Sequence, residues 1–171
     1  MGRRCFTLFV LGSILAFAGC GYQLGAPTPK QLKGVKLIYI ELAKNQTQHP
    51  GIEADWTNAL TDALISDANY KVGSAWSADA TLKTTISAIE LKRLRAALED
   101  GLRPEELEMQ IAVNWIIVSA KTGQSLKSGK AVEKTRYFVD GARLTTARDN
   151  GFPDGFARVA RKLVSTLSNT F

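Results

Sequence analysis

One segment of the chain carries a large apolar side chain at every second position. Its apolar members are Leu107, Met109, Ile111, Val113, Trp115 and Ile117. Because successive side chains of a β-strand point to opposite faces, this period of two predicts a long strand with one buried face. A chain of 171 residues is long enough to bury that face in a single hydrophobic core.

Further strands are predicted on both sides of this segment. β-branched and aromatic residues favour strands at 35–42, 70–75, 79–95 and 125–139. Within residues 79–95 the apolar positions change phase. They are Leu82, Thr84, Ile86 and Ala88, followed by Ile89 and Leu91. The change of phase predicts a β-bulge.

Residues 97–106 contain Asp100-Gly101 and Pro104, which favour a loop. The acidic residues of this region include Glu99, Asp100 and the group at 105–108. Catalytic carboxylates must converge across a cleft, whereas these follow one another along the chain. We therefore expect them to form a solvated loop.

Two segments have the helical period. Apolar residues recur at helical spacing from Ile52 to about Asn69, and again from Phe152 to the C-terminus, where Asp149 or Asn150 is the expected N-cap. Each helix has one apolar stripe, so both must cover a shared sheet. The predicted fold is α+β, a two-layer sandwich of a mostly antiparallel sheet with two helices on one face. The other face of the sheet would lie open.

The N-terminus has the pattern of an export signal. Arg3 and Arg4 precede a run of 14 apolar and small residues from Cys5 to Ala18, which Gly19 and Cys20 follow. A membrane-spanning helix needs about 20 apolar residues, so the run is better explained as a signal peptide. A short anchor or a buried strand is the alternative. Ala18-Gly19-Cys20 resembles a bacterial lipobox with Phe17 where Leu is usual, which makes Cys20 the predicted lipidated residue.

These features divide the chain into a signal peptide at 1–19, a lipidated tether at 20–34 and one domain at 35–171. Gly21 replaces the Asp that commonly retains lipoproteins at the inner membrane, so we expect the periplasmic side of the outer membrane. The formal net charge is +6. An exported protein does not meet nucleic acid, so nucleic acid is not the expected partner of this positive charge. An anionic lipid or an acidic protein is expected instead.

Residues for catalysis are not found. The chain has one His and two Cys, and it lacks phosphate-binding and nucleophile-elbow motifs. No metal site, disulfide or cofactor is expected. The protein is predicted not to be an enzyme.

Basic residues fall on the predicted open face of the sheet. They are Lys83, Lys92, Lys130, Lys134 and Arg136. Lys and Arg at such spacing fit the phosphates of lipopolysaccharide, with Arg136 as the bidentate contact. The same side chains would equally fit acidic residues of a protein partner, and the sequence does not separate the two.

The mature sequence resembles the LptE family of lipopolysaccharide-assembly lipoproteins. The similar motifs are Cys20-Gly21-Tyr22-Gln23-Leu24, Lys36 to Leu42, Asn45-Gln46-Thr47, Pro50-Gly51-Ile52-Glu53 with the helix through Leu60, Ala63 and Leu64, Ala78-Asp79-Ala80-Thr81-Leu82 and Thr122-Gly123. The resemblance implies a two-layer α+β lipoprotein that plugs the LptD β-barrel, assists its assembly and binds lipopolysaccharide. An auxiliary lipoprotein of another envelope machine, such as a lipid-transport ABC system or an activator of a cell-wall synthase, is the second hypothesis.

Overall fold

The computed structural model describes residues 32–67, 69–95, 105–139 and 144–168. These residues form six strands and two helices. In chain order they are β1 (Leu37–Ile40), β2 (Lys44–Asn45), α1 (Ile52–Asp67), β3 (Lys71–Val72), β4 (Ala80–Arg95), β5 (Glu105–Ser119), β6 (Ser125–Val139) and α2 (Leu144–Ser168). Both helices pack on one side of the sheet, which confirms the predicted two-layer α+β sandwich.

The sheet is mixed. Its strand order is β3-β1-β4-β5-β6, and β2 pairs with β4 beyond the end of β1. The long strands β4, β5 and β6 are antiparallel, as expected, whereas β1, β2 and β3 join through parallel pairs. The strands β1 and β3 are shorter than the patterns at 35–42 and 70–75 predict.

The predicted bulge is present in β4. The pairing register between β4 and β5 shifts between Ile86 and Ala88, so that Ser87 is the additional residue. Its hydroxyl donates a hydrogen bond of 3.0 Å to the carbonyl of Ala112. The bulge comes one residue earlier than expected, because Ala88 pairs with Ala112 on the open face and is not a member of the core-facing set.

The acidic segment at 105–108 was wrongly expected to be a loop. It forms the beginning of strand β5. There Glu106 pairs with Phe138 and Glu108 pairs with Arg136. Leu107 and Met109 are buried on the opposite face of the same strand. Alternation therefore continues through the acidic segment, and basic neighbours on β6 make the carboxylates acceptable there.

Each helix buries one stripe. Ile52, Trp56, Leu60 and Leu64 of α1 are buried. The helix α2 begins at Leu144, so neither Asp149 nor Asn150 is its N-cap. Asp149 and Asn150 mark the point where the apolar stripe begins. The helix itself starts several residues earlier, in a polar segment. Among the described helices, none combines the length and apolar character required to cross a bilayer.

The core lies between the helices and the inner face of β4–β6. The rings of Trp56 and Phe156 meet edge to face with centroids 5.9 Å apart, and Phe152 stacks on Phe156 at 5.5 Å. The single histidine, His49, packs its ring against Phe152 at 5.6 Å. Leu32, in the segment predicted as the tether, is completely buried, so the chain is already packed against the domain at that point.

Candidate lipid- and partner-binding face

One face of β4, β5 and β6 is turned away from both helices, and we call it the open face. The register of the strands defines it, because residues that pair directly share a side of the sheet. Gly151 and Gly155 of α2 lie over Met109 and Ile111, which places these two residues on the covered side. Their neighbours along β5, Gln110 and the residues in phase with it, therefore belong to the open face.

All five basic residues singled out in the sequence lie on the open face. Lys83 pairs with Ile116, Lys92 and Arg136 with Glu108, Lys130 with Asn114, and Lys134 with Gln110. The structure places four of them in two groups separated by the small residues Ala88 and Ala112, and Lys130 lies between the groups. One group surrounds Glu108, and the other consists of Lys83 near β1.

Glu108 is the centre of the first group, which we call the Glu108 cluster (Lys92, Glu106, Glu108, Lys134 and Arg136). Its Oε1 accepts a hydrogen bond of 2.7 Å from Nζ of Lys134, and its Oε2 lies 3.8 Å from Nε of Arg136. The Glu108 side chain is only 11% exposed although it is on the open face. The hydrogen bond from Lys134, with the positive charges of Lys134, Arg136 and Lys92, holds the pKa of Glu108 below its ordinary value.

The Glu108 cluster is less positive than its basic residues alone suggest. Arg136 also approaches Glu106, with Nη1 and Oε1 3.8 Å apart. The side chains of Lys134 and Arg136 are nevertheless 55% and 65% exposed, so that they keep donors available to solvent. An anion that binds here must compete with two carboxylates for these donors.

The second group is smaller. Nζ of Lys83 lies 3.2 Å from Oε2 of Glu41, and both side chains are partly exposed. A shallow hollow of about 270 Å³ adjoins this ion pair, with Leu42 and Ile116 among its lining residues. Leu42 is 61% exposed, which makes this end of the open face partly apolar.

Lys130 lies between the two groups, opposite Asn114, and is exposed. Asn114 is exposed as well, so this row of the sheet presents an ammonium group and an amide. Among the basic residues of β6 on the open face, Lys130 is thus the one whose substitution disturbs the Glu108 cluster least.

The sequence analysis missed the acidic partners Glu106, Glu108 and Glu41. Residues 106, 108 and 110 are in phase with one another, and this alternation is the signal that identifies Glu106 and Glu108 as open-face residues. Glu41 follows β1 and reaches Lys83 only because β1 pairs in parallel with β4. A parallel contact of this kind leaves no local pattern in the sequence.

The described part of the open face carries no group of residues suited to bind a metal ion. In the residues that the structure describes, His, Cys, Asp and Glu do not group in threes that would hold a metal ion. Cys20, the predicted lipidation residue, and the signal peptide lie outside the described residues. The two cysteines of the chain are both in that N-terminal part.

The LptE family, described as lipopolysaccharide-assembly, matches residues 35–167. The chain belongs to the LptE family. It is therefore a small lipoprotein of the cell envelope, and the family that the sequence resembles is confirmed. No curated protein matches the sequence.

Solved structures resemble the chain at low sequence identity. A Xanthomonas campestris protein of family DUF330 aligns with a TM-score of 0.50 and 12% identity, over 82% of this chain and 88% of that one. PelC from Paraburkholderia phytofirmans, a dodecamer, aligns with a TM-score of 0.47 and 15% identity, over 81% and 94%. A minor lipoprotein from Acinetobacter baumannii aligns at 0.47 and 10%, over 78% and 91%. At 12% identity the likeness to the Xanthomonas protein concerns the fold.

Proposed function

We propose that this LptE-family protein is lipidated at Cys20, resides on the periplasmic side of the outer membrane and acts there without catalysis. In this proposal it plugs an LptD-type β-barrel, assists assembly of the barrel and binds lipopolysaccharide. Family membership supports the assignment to lipopolysaccharide assembly. The chemistry of the open face supports contact with an anionic lipid.

The observation that carries the binding proposal is the one-sided covering of the sheet. Both helices lie on the inner face, and the open face of β6 presents Lys130, Lys134 and Arg136 on one side. Lys134 and Arg136 are exposed enough to donate to an external phosphate while Glu108 holds their side chains in place. Charge-assisted hydrogen bonds to phosphate are short and strong, and Arg can make them in pairs.

The partly apolar hollow beside Lys83 adds a second element. Leu42 and Ile116 offer apolar surface next to an ammonium group, which is the chemistry at the junction of a phosphorylated sugar and its acyl chains. The alternation of charged and apolar groups along the open face therefore fits an amphipathic anion better than a soluble one.

Binding is tested with the full chain and purified lipopolysaccharide. Lys130→Glu reverses a charge on the open face without touching the Glu108 cluster, and we expect it to weaken binding about tenfold or more. Lys162→Glu on the exposed side of α2 is the matched control and should bind as the unsubstituted protein does. Equal sensitivity of the two variants, or a greater effect of Lys162→Glu, would contradict a binding role for the open face.

The reversal of all three β6 residues is a poor test. Lys134→Glu or Arg136→Glu would place a new carboxylate beside Glu108, whose side chain is nearly buried. Repulsion between the carboxylates would destabilise the sheet and confuse unfolding with loss of binding. Charge changes at these two positions are informative only after the stability of each variant has been measured.

The partner is tested by purifying the membrane-bound protein in mild detergent and identifying what accompanies it. The proposal requires a large outer-membrane β-barrel in stoichiometric amount. An inner-membrane transporter or a cell-wall synthase in its place would overturn the LptD partnership. It would favour an auxiliary lipoprotein of another envelope machine.

A further inference from the structure

Trp76 is the most exposed large apolar residue among the described residues, with 97% of its surface accessible. It lies in the turn between β3 and β4, far from the Glu108 cluster. Exposed apolar residues are common, but an indole in full contact with water forgoes the burial that makes tryptophan valuable in a core. The contacts and charges around Trp76 indicate what kind of surface this side chain could bind.

The turn that carries Trp76 has a defined conformation. The backbone amides of Ser77 and Ala78 both donate to the carbonyl of Ser74, at 3.2 and 3.1 Å, and the hydroxyls of Ser74 and Ser77 lie 2.9 Å apart. On both sides of the turn the backbone is bound to β1, through Gly73 to Ile38 and through Asp79 to Leu37. Trp76 is therefore presented outward on a fixed support and not on a free loop.

The same edge of the domain receives the chain from the N-terminus. The Oδ2 atom of Asp79, three residues after Trp76, accepts hydrogen bonds of 3.0 Å from the amides of Lys36 and Leu37. The chain reaches Lys36 from the buried Leu32 through a short turn in which the amide of Val35 bonds the carbonyl of Leu32. The Trp76 turn thus adjoins the point at which the predicted tether joins the domain.

The tether is short. Residues 21–31 separate Cys20 from Leu32. Even fully extended, eleven residues reach no further than about 36–40 Å. A lipid on Cys20 would accordingly keep the Trp76 edge of the domain close to the membrane that holds the lipid.

The segments that adjoin the Trp76 turn carry exposed lysines, since residues 36 and 71 are joined by a backbone hydrogen bond and Ala120 donates to the carbonyl of Asp79. Lys33, Lys36, Lys71 and Lys121 are all exposed at this edge. Asp79 lies among them, and hydrogen bonds from two backbone amides, with the charges of Lys121 and Lys36, hold its pKa below the ordinary value. Its carboxylate is occupied with the backbone of β1, so that the lysines dominate the outward charge.

We propose that the Trp76 turn docks on the anionic phospholipid surface in which the lipid anchor is inserted. The indole enters the headgroup region, where tryptophan is favoured because one part of the ring is apolar and the N–H remains hydrated. Lys33, Lys36, Lys71 and Lys121 contact lipid phosphates around it. The inference rests on the proposed lipidation of Cys20, and it adds a second contact that sets the orientation of the domain on the membrane.

The chain itself provides the probe for this contact. It contains three tryptophans, of which Trp56 is 0% and Trp115 is 3% exposed. Quenching of fluorescence by lipids with brominated acyl chains therefore reports on Trp76. The full lipidated protein is reconstituted in vesicles of phosphatidylethanolamine and phosphatidylglycerol, with and without bromine. We expect quenching and a blue shift of the emission, and Trp76→Ser should lose both while the far-UV circular dichroism is unchanged.

The role of the lysines is measured with the mature protein without its lipid, residues 20–171 carrying Cys20→Ser, titrated with the same vesicles; the apolar signal peptide is left out because it would itself bind lipid. Replacing Lys33, Lys36 or Lys121 by Gln should weaken vesicle binding about fivefold for each lysine, and added salt should weaken it further. Lys162→Gln, on the outer side of α2, is the matched control with no expected effect.

Failure of the docking and failure of the anchor give different results. If the protein is lipidated and bound to vesicles but brominated lipids do not quench Trp76, the docking is wrong and the anchor stands. If the natural protein carries no lipid while the titration still shows quenching of Trp76, the anchor is wrong and the docking is supported. Protection of Trp76 from an aqueous quencher by a copurified protein, without quenching by brominated lipid, would assign the turn to a protein contact and overturn the inference.

Discussion

The indole Nε1 of Trp56 in α1 donates a hydrogen bond of 2.9 Å to Oγ1 of Thr84 in β4. Trp56 is 0% exposed and Thr84 is 3% exposed, so the bond lies within the core. Thr84 stands between Leu82 and Ile86 on the covered face, where an apolar residue would otherwise be expected. Its hydroxyl satisfies the polar group that a buried tryptophan brings into the core.

Thr84→Val should reduce the free energy of unfolding by about 1–3 kcal/mol. Valine has the shape of threonine but leaves the indole N–H of Trp56 without its acceptor, and a buried donor without a partner is costly. Denaturant unfolding measures the change, with Thr85→Val on the open face as control. The penalty should largely disappear in a Trp56→Phe background, and a penalty that persists there would refute the role of the hydrogen bond.

Gly129→Ala should also destabilise the protein, although alanine is usually better than glycine in a strand. A Cβ atom at this position would lie 2.8 Å from Cζ2 and 3.0 Å from Cε2 of Trp115. The ring is rigid and buried, so that we expect a loss of about 1–3 kcal/mol from overpacking. Thermal unfolding tests this against Ser128→Ala, the neighbouring position on the open face; an increase in stability for Gly129→Ala would show that the ring can move aside.

Acid should weaken the Glu108 cluster. The pKa of Glu108 in the folded protein is held below its ordinary value of 4.5 by Lys134. The folded state therefore binds a proton at this carboxyl less readily than the unfolded state, and the stability that results is present above about pH 4.5 and is lost at lower pH. We expect Glu108→Gln to differ most from the unsubstituted protein near neutral pH and to approach it as the pH falls.

The matched control for this pH dependence is Lys134→Gln, which replaces the charged ammonium donor by a shorter, uncharged amide. In its background the effect of Glu108→Gln should be smaller and should vary less with pH, because coupled residues are not additive. Urea unfolding at several pH values provides the measurement. If the difference in free energy of unfolding between Glu108→Gln and the unsubstituted protein stays constant from pH 7 to below pH 4.5, the proposed dependence on the ionisation of Glu108 is wrong.

Lipidation of Cys20 predicts a defined mass. Mass spectrometry of the membrane-bound protein should show an N-terminal peptide that begins at Cys20 and carries acyl chains, since Ala18-Gly19-Cys20 resembles a lipobox. Cys20→Ser should leave the protein in the soluble fraction or as the uncleaved precursor. An intact Met1 terminus in the outer-membrane fraction would refute the assignment.

Periodicity predicts the long strands well. The alternation from Leu107 to Ile117 was sufficient to locate most of β5 and the face on which the basic residues lie. The change of phase after Ala88 predicted the bulge in β4, one residue later than the structure has it. Such patterns survive because each side chain on a long strand faces either the core or the exterior. The beginning of α2 was less predictable, because residues 144–151 precede most of its apolar stripe.

The pairing of charges could not be predicted in the same way. Glu41 meets Lys83 through a parallel pair of β1 and β4, and the sequence contains no local sign of strand direction. Glu108 had the correct phase but was interpreted by its composition as part of a loop. The exposure of Trp76 depends on where the turn after β3 lies in the fold, and a single tryptophan in a polar segment does not indicate this.

The position of β6 in the sheet has a consequence for the behaviour of the protein at high concentration. Within the described residues β6 has a neighbouring strand on one side only, and its 15 residues leave a long row of backbone groups at the edge. Such an edge is a template on which a strand of another molecule can add. Exposed Lys130, Lys134 and Arg136 are spaced along it, so that two copies meeting edge to edge would bring like charges together. The residues that give the strand its charge thereby oppose aggregation of the sheet.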